Sequence, residues 1–177
     1  HVVDRHDARV LELADDADGV AADLGRLPLA LAHAAAFMVD RDLSCSGYRA
    51  RFADRRRRLG ELFPDHEAVF DDAAAATVAT TWSMSIDQAN QLRPVGLAGS
   101  MLELASMLDP DGIPVSLFRS HAALSFLTAR VDRQVTARDG ALDQDAVDGA
   151  LANLRRFSLI SVTGSVVRVQ ALLQRAV

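Results

Sequence analysis

The stretch SLISVTGSVVRVQ, residues 158–170, decides the fold of this chain because it breaks the helical pattern that precedes it. It is rich in β-branched residues, and Thr163-Gly164-Ser165 interrupts it near its centre. Short β-rich runs on either side of a glycine-containing turn are typical of a β-hairpin. We therefore predict a two-stranded hairpin close to the C-terminal end of the 177 residues.

The segments before the hairpin have helical periodicity. Asp143 is a predicted N-cap for a helix that reaches about Arg156, and its buried stripe is Val147, Ala150, Leu151 and Leu154. Helices are also expected from Val78, from Leu97 and over about 120–130, with the turn residues 109–112 stopping the second of them. Several helices followed by a hairpin outline a winged helix, which we predict for residues 77–177.

The N-terminal part predicts a small helical bundle over residues 1–64. A first helix spans 7–25, and Gly25 stands where a helix-ending residue often adopts the left-handed conformation. Pro28 fits the first position of a second helix that runs to about Asp40, and a third helix covers 46–63. The acidic, alanine-rich residues 65–76 are predicted to be a linker. The expected fold is therefore mainly α, a small bundle followed by a winged-helix domain with a C-terminal hairpin.

Composition excludes several kinds of chemistry. All nineteen basic residues are arginine, so neither a lysine-containing phosphate-binding loop nor lysine Schiff-base chemistry is available. The five histidines are scattered and there is one cysteine, a pattern that does not support a zinc site. The serines lack a nucleophile motif. We predict no catalytic residue and no metal ligand, and hence no enzymatic activity for this chain by itself.

Charge and hydropathy narrow the class of partner. The formal net charge is −5, and Asp143, Asp145 and Asp148 begin the helix that would have to enter a DNA groove, so nucleic-acid binding is not expected. No apolar run approaches the length of about 20 residues that a membrane span requires, so no membrane partner is expected. With a single cysteine, a reducing cytoplasm is the expected location.

Three blocks of sequence resemble one known family. GRLPLALAHAAAFM (25–38) resembles the "GLPLAL" motif of the NB-ARC nucleotide-binding module, which belongs to the STAND class of signal-transducing ATPases. VATTWSMSIDQANQLRPVGLAGSMLELASMLDPDGIP (78–114) and RRFSLISV with VVRVQALLQRAV (155–177) resemble its winged-helix segment. The similarity is greatest to actinobacterial members that carry tetratricopeptide repeats.

The resemblance implies partners in cis. In the family a P-loop NTPase domain precedes the helical and winged-helix subdomains, and ADP or ATP, with Mg, lies between them. This chain would be the two regulatory subdomains without that core, so no tightly bound cofactor is expected for it alone. Tetratricopeptide repeats are expected after it. Exchange of ADP for ATP would open the assembly and allow self-association.

The same resemblance supplies four candidate nucleotide-contacting residues, Gly25, Pro28, Leu29 and Gln170. In relatives, the proline of the motif packs near the adenine, and Pro28 matches it. Gln170 stands where relatives have a histidine that contacts the β-phosphate of ADP. A glutamine donates a neutral hydrogen bond and cannot become cationic, so a weaker latch is expected. An ordinary surface role for Gln170 is the alternative.

Two other functions remain open at this stage. One is a winged-helix transcription regulator that binds DNA, and the other is a protein-interaction module with no nucleotide role. The resemblance favours the nucleotide-sensing function over both.

Overall fold

The computed structural model describes residues 16–62, 73–109, 112–130, 142–170 and Leu173, and the chain divides into two compact units, His1–Met84 and Ser85–Val177. The described part is mainly helical, with a small antiparallel sheet near the C-terminal end, which confirms the predicted fold class. Within it, no helix is both long enough and apolar enough to cross a membrane.

The first unit is built from α1 (Ala17–Asp23), α2 (Pro28–Arg41), α3 (Cys45–Leu62) and the first part of α4 (Ala73–Gln91). The predicted starts of α2 and α3 are confirmed to within one residue. Residues 7–15 of the predicted first helix lie outside the described residues. Helix α1 packs on α3, and Arg49 of α3 forms ion pairs with Asp16 and Asp23. Hydrogen bonds to Asp23 and then Asp16 raise the pKa of Arg49 above its ordinary value.

Part of the predicted linker 65–76 is helical. Helix α4 begins at Ala73, so residues 73–76 are helical rather than linking, while 65–72 lie outside the described residues. The division of the chain into two units falls within α4, between Met84 and Ser85. The early start of α4 has a local reason, since Ala73–Ala76 are a run of the best helix-forming residue. The contact of Trp82 with His33 ties the first part of α4 to the first unit.

The second unit contains the end of α4, then α5 (Leu97–Ser106), β1 (Ile113–Pro114), α6 (Val115–Phe118), α7 (His121–Arg130), α8 (Gln144–Arg156), β2 (Ile160–Thr163) and β3 (Val166–Val169). Asn90 connects α4 to α5, since its Oδ1 accepts a hydrogen bond from the Gly99 amide at 2.6 Å. That bond satisfies an amide in the first turn of α5 that has no partner within the helix. As predicted, Asp143 caps α8, with its Oδ1 2.8 Å from the Ala146 nitrogen.

The three strands form an antiparallel sheet in the order β1–β3–β2. Strand β2 pairs with β3 so that Ser161 lies opposite Arg168, and the two-residue turn Gly164-Ser165 has Gly164 at φ +60°. A glycine with positive φ at the first turn position suits a tight hairpin. Helix α5, strand β1, helices α6 to α8 and then the hairpin follow one another in the winged-helix order, with β2 and β3 as the wing.

The core of the second unit lies between α5, α7, α8 and the sheet. Helix α5 packs on both α7 and α8, and α8 packs on β2. The predicted stripe of α8 is buried, and most of the predicted stripe of α5 is buried as well. Both helices turn their apolar faces inwards, and the opposite face of α8 carries exposed polar residues such as Asp145 and Arg155.

Candidate functional site

The α1–α2 junction holds three of the four predicted site residues. Gly25 has φ +61°, and the Gly25 and Arg26 amides donate to the Ala22 and Ala21 carbonyl oxygens at 3.0 and 2.8 Å. This is the hydrogen-bond pattern of a Schellman motif, in which glycine takes the left-handed position at no steric cost. The sequence-based prediction for Gly25 is therefore confirmed as a statement about backbone conformation.

Pro28 opens α2 as predicted and occupies its first position. Its side chain is exposed and that of Leu29 is partly buried, whereas Ala30, His33, Ala34 and Phe37 face the core. A proline at this position has no amide hydrogen to satisfy, so its ring can present an apolar surface to a neighbour. The exposed side of α2 is also apolar further along the helix, at Ala32, Ala35 and Val39, and Val39 is 83% exposed.

Gln170, the fourth predicted residue, directly follows β3 in the second unit and lines a pocket of about 540 Å³. It therefore belongs to a different unit from Gly25, Pro28 and Leu29. The polar residues that line the pocket with it are Arg155, Ser158, Ser161 and Arg168. Aliphatic side chains of β2 and β3 also line it, and no carboxylate is among the described lining residues.

The local structure explains how these polar groups come together. Arg155 lies in the last turn of α8, and Ser158 lies in the turn that joins α8 to β2. Ser161 and Arg168 are paired across the hairpin, so their side chains project from the same side of the sheet. Arg155 and Arg168 are both exposed, and neither forms an ion pair with any residue that the structure describes.

Helix α8, which would have to enter the groove if this chain bound DNA, begins with negatively charged side chains. Asp143 and Asp145 are exposed in the first turn of α8, and the exposed Asp148 accepts two hydrogen bonds at 2.7 Å from Arg119. Carboxylates at this end would face DNA phosphates, which are also negatively charged. The surface of α8 therefore changes from acidic at its start to basic at Arg155 and Arg156.

The sequence alone did not identify the arginine-lined pocket. Arg155 was visible only as a basic residue at the end of a predicted helix, and Arg168 only as one charged position in an apolar strand. The usable signal was the hairpin register, because a turn at Gly164-Ser165 places Ser161 opposite Arg168. Hydrophobic periodicity does not indicate that the end of α8 lies next to Ser161 and Arg168.

Metal chemistry receives no support from the residues that the structure describes. In these ranges, no three histidine, cysteine or acidic side chains lie close enough together to hold a metal ion. His1, His6 and His66 lie outside them. No family model, curated protein or solved structure matches the chain.

Proposed function

We propose that this chain is the nucleotide-sensing regulatory part of a STAND-class NTPase. It would close over ADP or ATP held by a P-loop domain in cis and so control self-association and signalling. The chain contains no lysine and hence no phosphate-binding loop of its own. Its own part is to contact the nucleotide from the other side, and the catalytic groups belong to the P-loop domain.

The observation that carries the proposal is the exposure of Pro28 at the first position of α2. If the GRLPLAL stretch served only to build a core helix, the apolar ring at its start would be expected to pack inside the bundle. The ring instead remains accessible, next to a glycine that holds the preceding turn by its left-handed backbone. A rigid apolar surface of this kind suits stacking against a planar base.

The order of the two units also supports the proposal. A small bundle comes first, and a winged-helix arrangement with sheet order β1–β3–β2 follows it, which is the order that the resemblance implies. Gln170 contributes to a pocket that is lined by two arginines and two serines beside aliphatic side chains. Such a pocket offers hydrogen-bond donors and positive charge to a phosphate group.

The proposed mechanism is a shift between two populations. ADP and ATP differ by one phosphate, so they bias the closed and open forms only through contacts that distinguish them. Pro28 would hold the base in both forms, while Gln170 would donate a neutral hydrogen bond to a phosphate oxygen in the closed form. Because that bond is weaker than one from a cationic histidine, we expect ADP to leave this protein faster than it leaves relatives with histidine.

The test uses the longer protein in which this chain follows a P-loop domain. We expect it to retain ADP through gel filtration and Pro28→Ala to weaken ADP binding about threefold to tenfold, as expected for about 1 kcal/mol of lost apolar contact. The matched control is Pro114→Ala, because Pro114 is also an exposed proline at the start of a helix but lies in the other unit. Pro114→Ala should leave ADP affinity unchanged.

Two results would contradict the proposal. If the longer protein retains no nucleotide, the chain is a protein-interaction module. If this chain instead binds duplex DNA tightly and sequence-specifically at physiological salt, it is a winged-helix regulator. Mobility-shift titrations at two salt concentrations separate specific binding from the salt-sensitive background.

A further inference from the structure

We infer that the pocket between the end of α8 and the β2–β3 hairpin binds a phosphate or diphosphate group, with Arg155 and Arg168 as its cationic ligands. The inference that this pocket binds phosphate is argued from the residues that line it. Only the identification of the phosphate as part of ADP or ATP rests on the proposed function.

The first argument is the way the arginines of this chain are paired. Arg49, Arg57, Arg119 and Arg130 each form an ion pair with a nearby carboxylate. In the part of the chain that the structure describes, Arg155 and Arg168 have no such partner, and neither do some other arginines such as Arg26 and Arg41. What distinguishes Arg155 and Arg168 is that both line one pocket. Two like charges facing one cavity repel each other, and an anion bound between them removes that repulsion.

The second argument is that the rest of the polar lining matches phosphate. Ser158 and Ser161 offer hydroxyl donors and Gln170 offers an amide donor. A phosphate group presents several acceptor oxygens, and guanidinium groups bind such groups through paired, charge-assisted hydrogen bonds. Among the described residues no carboxylate lines the pocket, so none of their acidic side chains competes for the two guanidinium groups.

The third argument concerns size. At about 540 Å³, the pocket lies within the usual range of small-ligand sites. It is larger than a single phosphate requires and has room for a diphosphate together with part of the group that carries it.

A purely structural explanation accounts for only one of the two arginines. Arg155 stands in the last turn of α8, where a positive charge is stabilised by the negative end of the helix dipole. Arg156, in the same turn, satisfies that preference equally well but does not line the pocket. Arg168 lies in β3 rather than in a helix, so the charge preference of a helix's own last turn does not account for it. The convergence of Arg155 and Arg168 therefore needs its own explanation.

The direct experiment titrates this chain with inorganic pyrophosphate at constant ionic strength, using calorimetry and the shift in melting temperature. A ligand that binds only the folded state raises the melting temperature. Arg155→Gln and Arg168→Gln keep a hydrogen-bond donor but remove the charge, and each should weaken pyrophosphate binding roughly tenfold. The double variant should show no measurable binding.

Arg156→Gln is the matched control, since it removes the same charge from the same turn of α8. Its affinity for pyrophosphate should stay within about twofold of the wild-type value, because only screened long-range attraction is lost. Equal losses in Arg156→Gln and Arg155→Gln would overturn the inference. Absence of pyrophosphate binding by the wild-type chain at millimolar concentration would also overturn it.

The source of the phosphate is tested separately. In the longer protein, the double variant should release ADP faster than the wild type if the pocket contacts the sensed nucleotide. If ADP release is unchanged but pyrophosphate binding still depends on both arginines, the pocket binds phosphate and is not part of the ADP site. That result would refute the link to the proposed function. A loss of duplex-DNA binding in the double variant, without pyrophosphate binding by the wild type, would replace the pocket by a nucleic-acid contact.

Discussion

The two units of this chain build their cores from different chemistry. The first unit buries several aromatic rings and polar groups, among them Phe37, Tyr48 and His33. The second unit has a mainly aliphatic core, with Leu97, Leu127 and many similar side chains excluded from water beside Phe118 and Phe157. The two regions therefore depend on different kinds of contact, although both are mainly helical.

The buried polar groups of the first unit are of two kinds, those with a hydrogen-bond partner and those without one in the described structure. The hydroxyls of Thr80 and Thr81 donate to carbonyl oxygens one turn earlier, at 2.8 and 2.9 Å, so α4 satisfies them by itself. The Tyr48 hydroxyl and the Trp82 indole nitrogen are buried without a hydrogen-bond partner in the described structure. Their rings contribute by packing instead, since Tyr48 lies against both Phe37 and Phe52.

The second unit should be most sensitive to loss of volume. Leu127 is fully buried in α7, so Leu127→Ala should lower the free energy of unfolding by about 3–4 kcal/mol, through lost apolar burial and the cavity left behind. Met107, which is 62% exposed, provides the control, and Met107→Ala should change stability by less than about 0.5 kcal/mol. Urea denaturation measures both, and a small effect of Leu127→Ala would argue against a tightly packed aliphatic core.

The first unit should instead show a pH dependence at Tyr48. Burial raises the pKa of Tyr48 to about 12, and the smaller effect of the Thr81 hydroxyl lowers it. The unfolded chain loses this proton near pH 10, before the folded chain does. The stabilisation is thus complete below pH 10 and is lost between about pH 10 and 12, by about 2–3 kcal/mol.

The chain has a single tyrosine, so tyrosinate absorbance reports Tyr48 alone. We expect a midpoint near pH 12 in the folded protein and near pH 10 in denaturant. Tyr48→Phe should abolish this part of the pH dependence and leave stability at pH 7 nearly unchanged, because the buried hydroxyl forms no hydrogen bond of normal geometry and interacts only weakly with Thr81. A folded-state midpoint near 10 would show that the hydroxyl is hydrated.

Close packing of α2 predicts that an enlarged side chain on its buried face destabilises the first unit. Ala34 is fully buried on α2, so Ala34→Leu should cost about 2 kcal/mol by forcing neighbouring side chains apart. Ala35, the next residue, is exposed, and Ala35→Leu should be nearly neutral. Equal stabilities of the two variants in urea would mean that α2 does not pack closely.

The smallest effect concerns the cap of α8 in the second unit. Asp143→Ala removes the acceptor for the Ala146 amide and should cost about 1 kcal/mol. Asp143→Asn keeps a capping oxygen and should cost less than half as much. If both substitutions cost the same, the negative charge at the helix start, and not the hydrogen bond, is the stabilising feature.

Local signals were sufficient to predict most elements of the fold. The turn at Gly164, the cap at Asp143 and the helix start at Pro28 each depend on the conformational preference of one residue type, and all three are confirmed. The boundary between the units was not predictable in the same way. It falls inside a helix, and only tertiary packing assigns residues up to Met84 to the first unit.

The candidate site was only partly accessible from sequence. Backbone chemistry identified Gly25 and Pro28, whereas their predicted contact with a base comes from the resemblance alone. The arginine pocket joins residues thirteen positions apart, Arg155 and Arg168. Its composition depends on how α8 packs on β2 and on the hairpin register, two features that periodicity does not specify.

The most direct test of the central claim is the rate at which labelled ADP leaves the longer protein, measured for the wild type and for Gln170→His. The account predicts slower release from Gln170→His, because histidine can supply the charge that glutamine lacks. The slowing should be larger at pH 6 than at pH 8. Identical release rates at both pH values would contradict the claim that the winged helix holds the nucleotide.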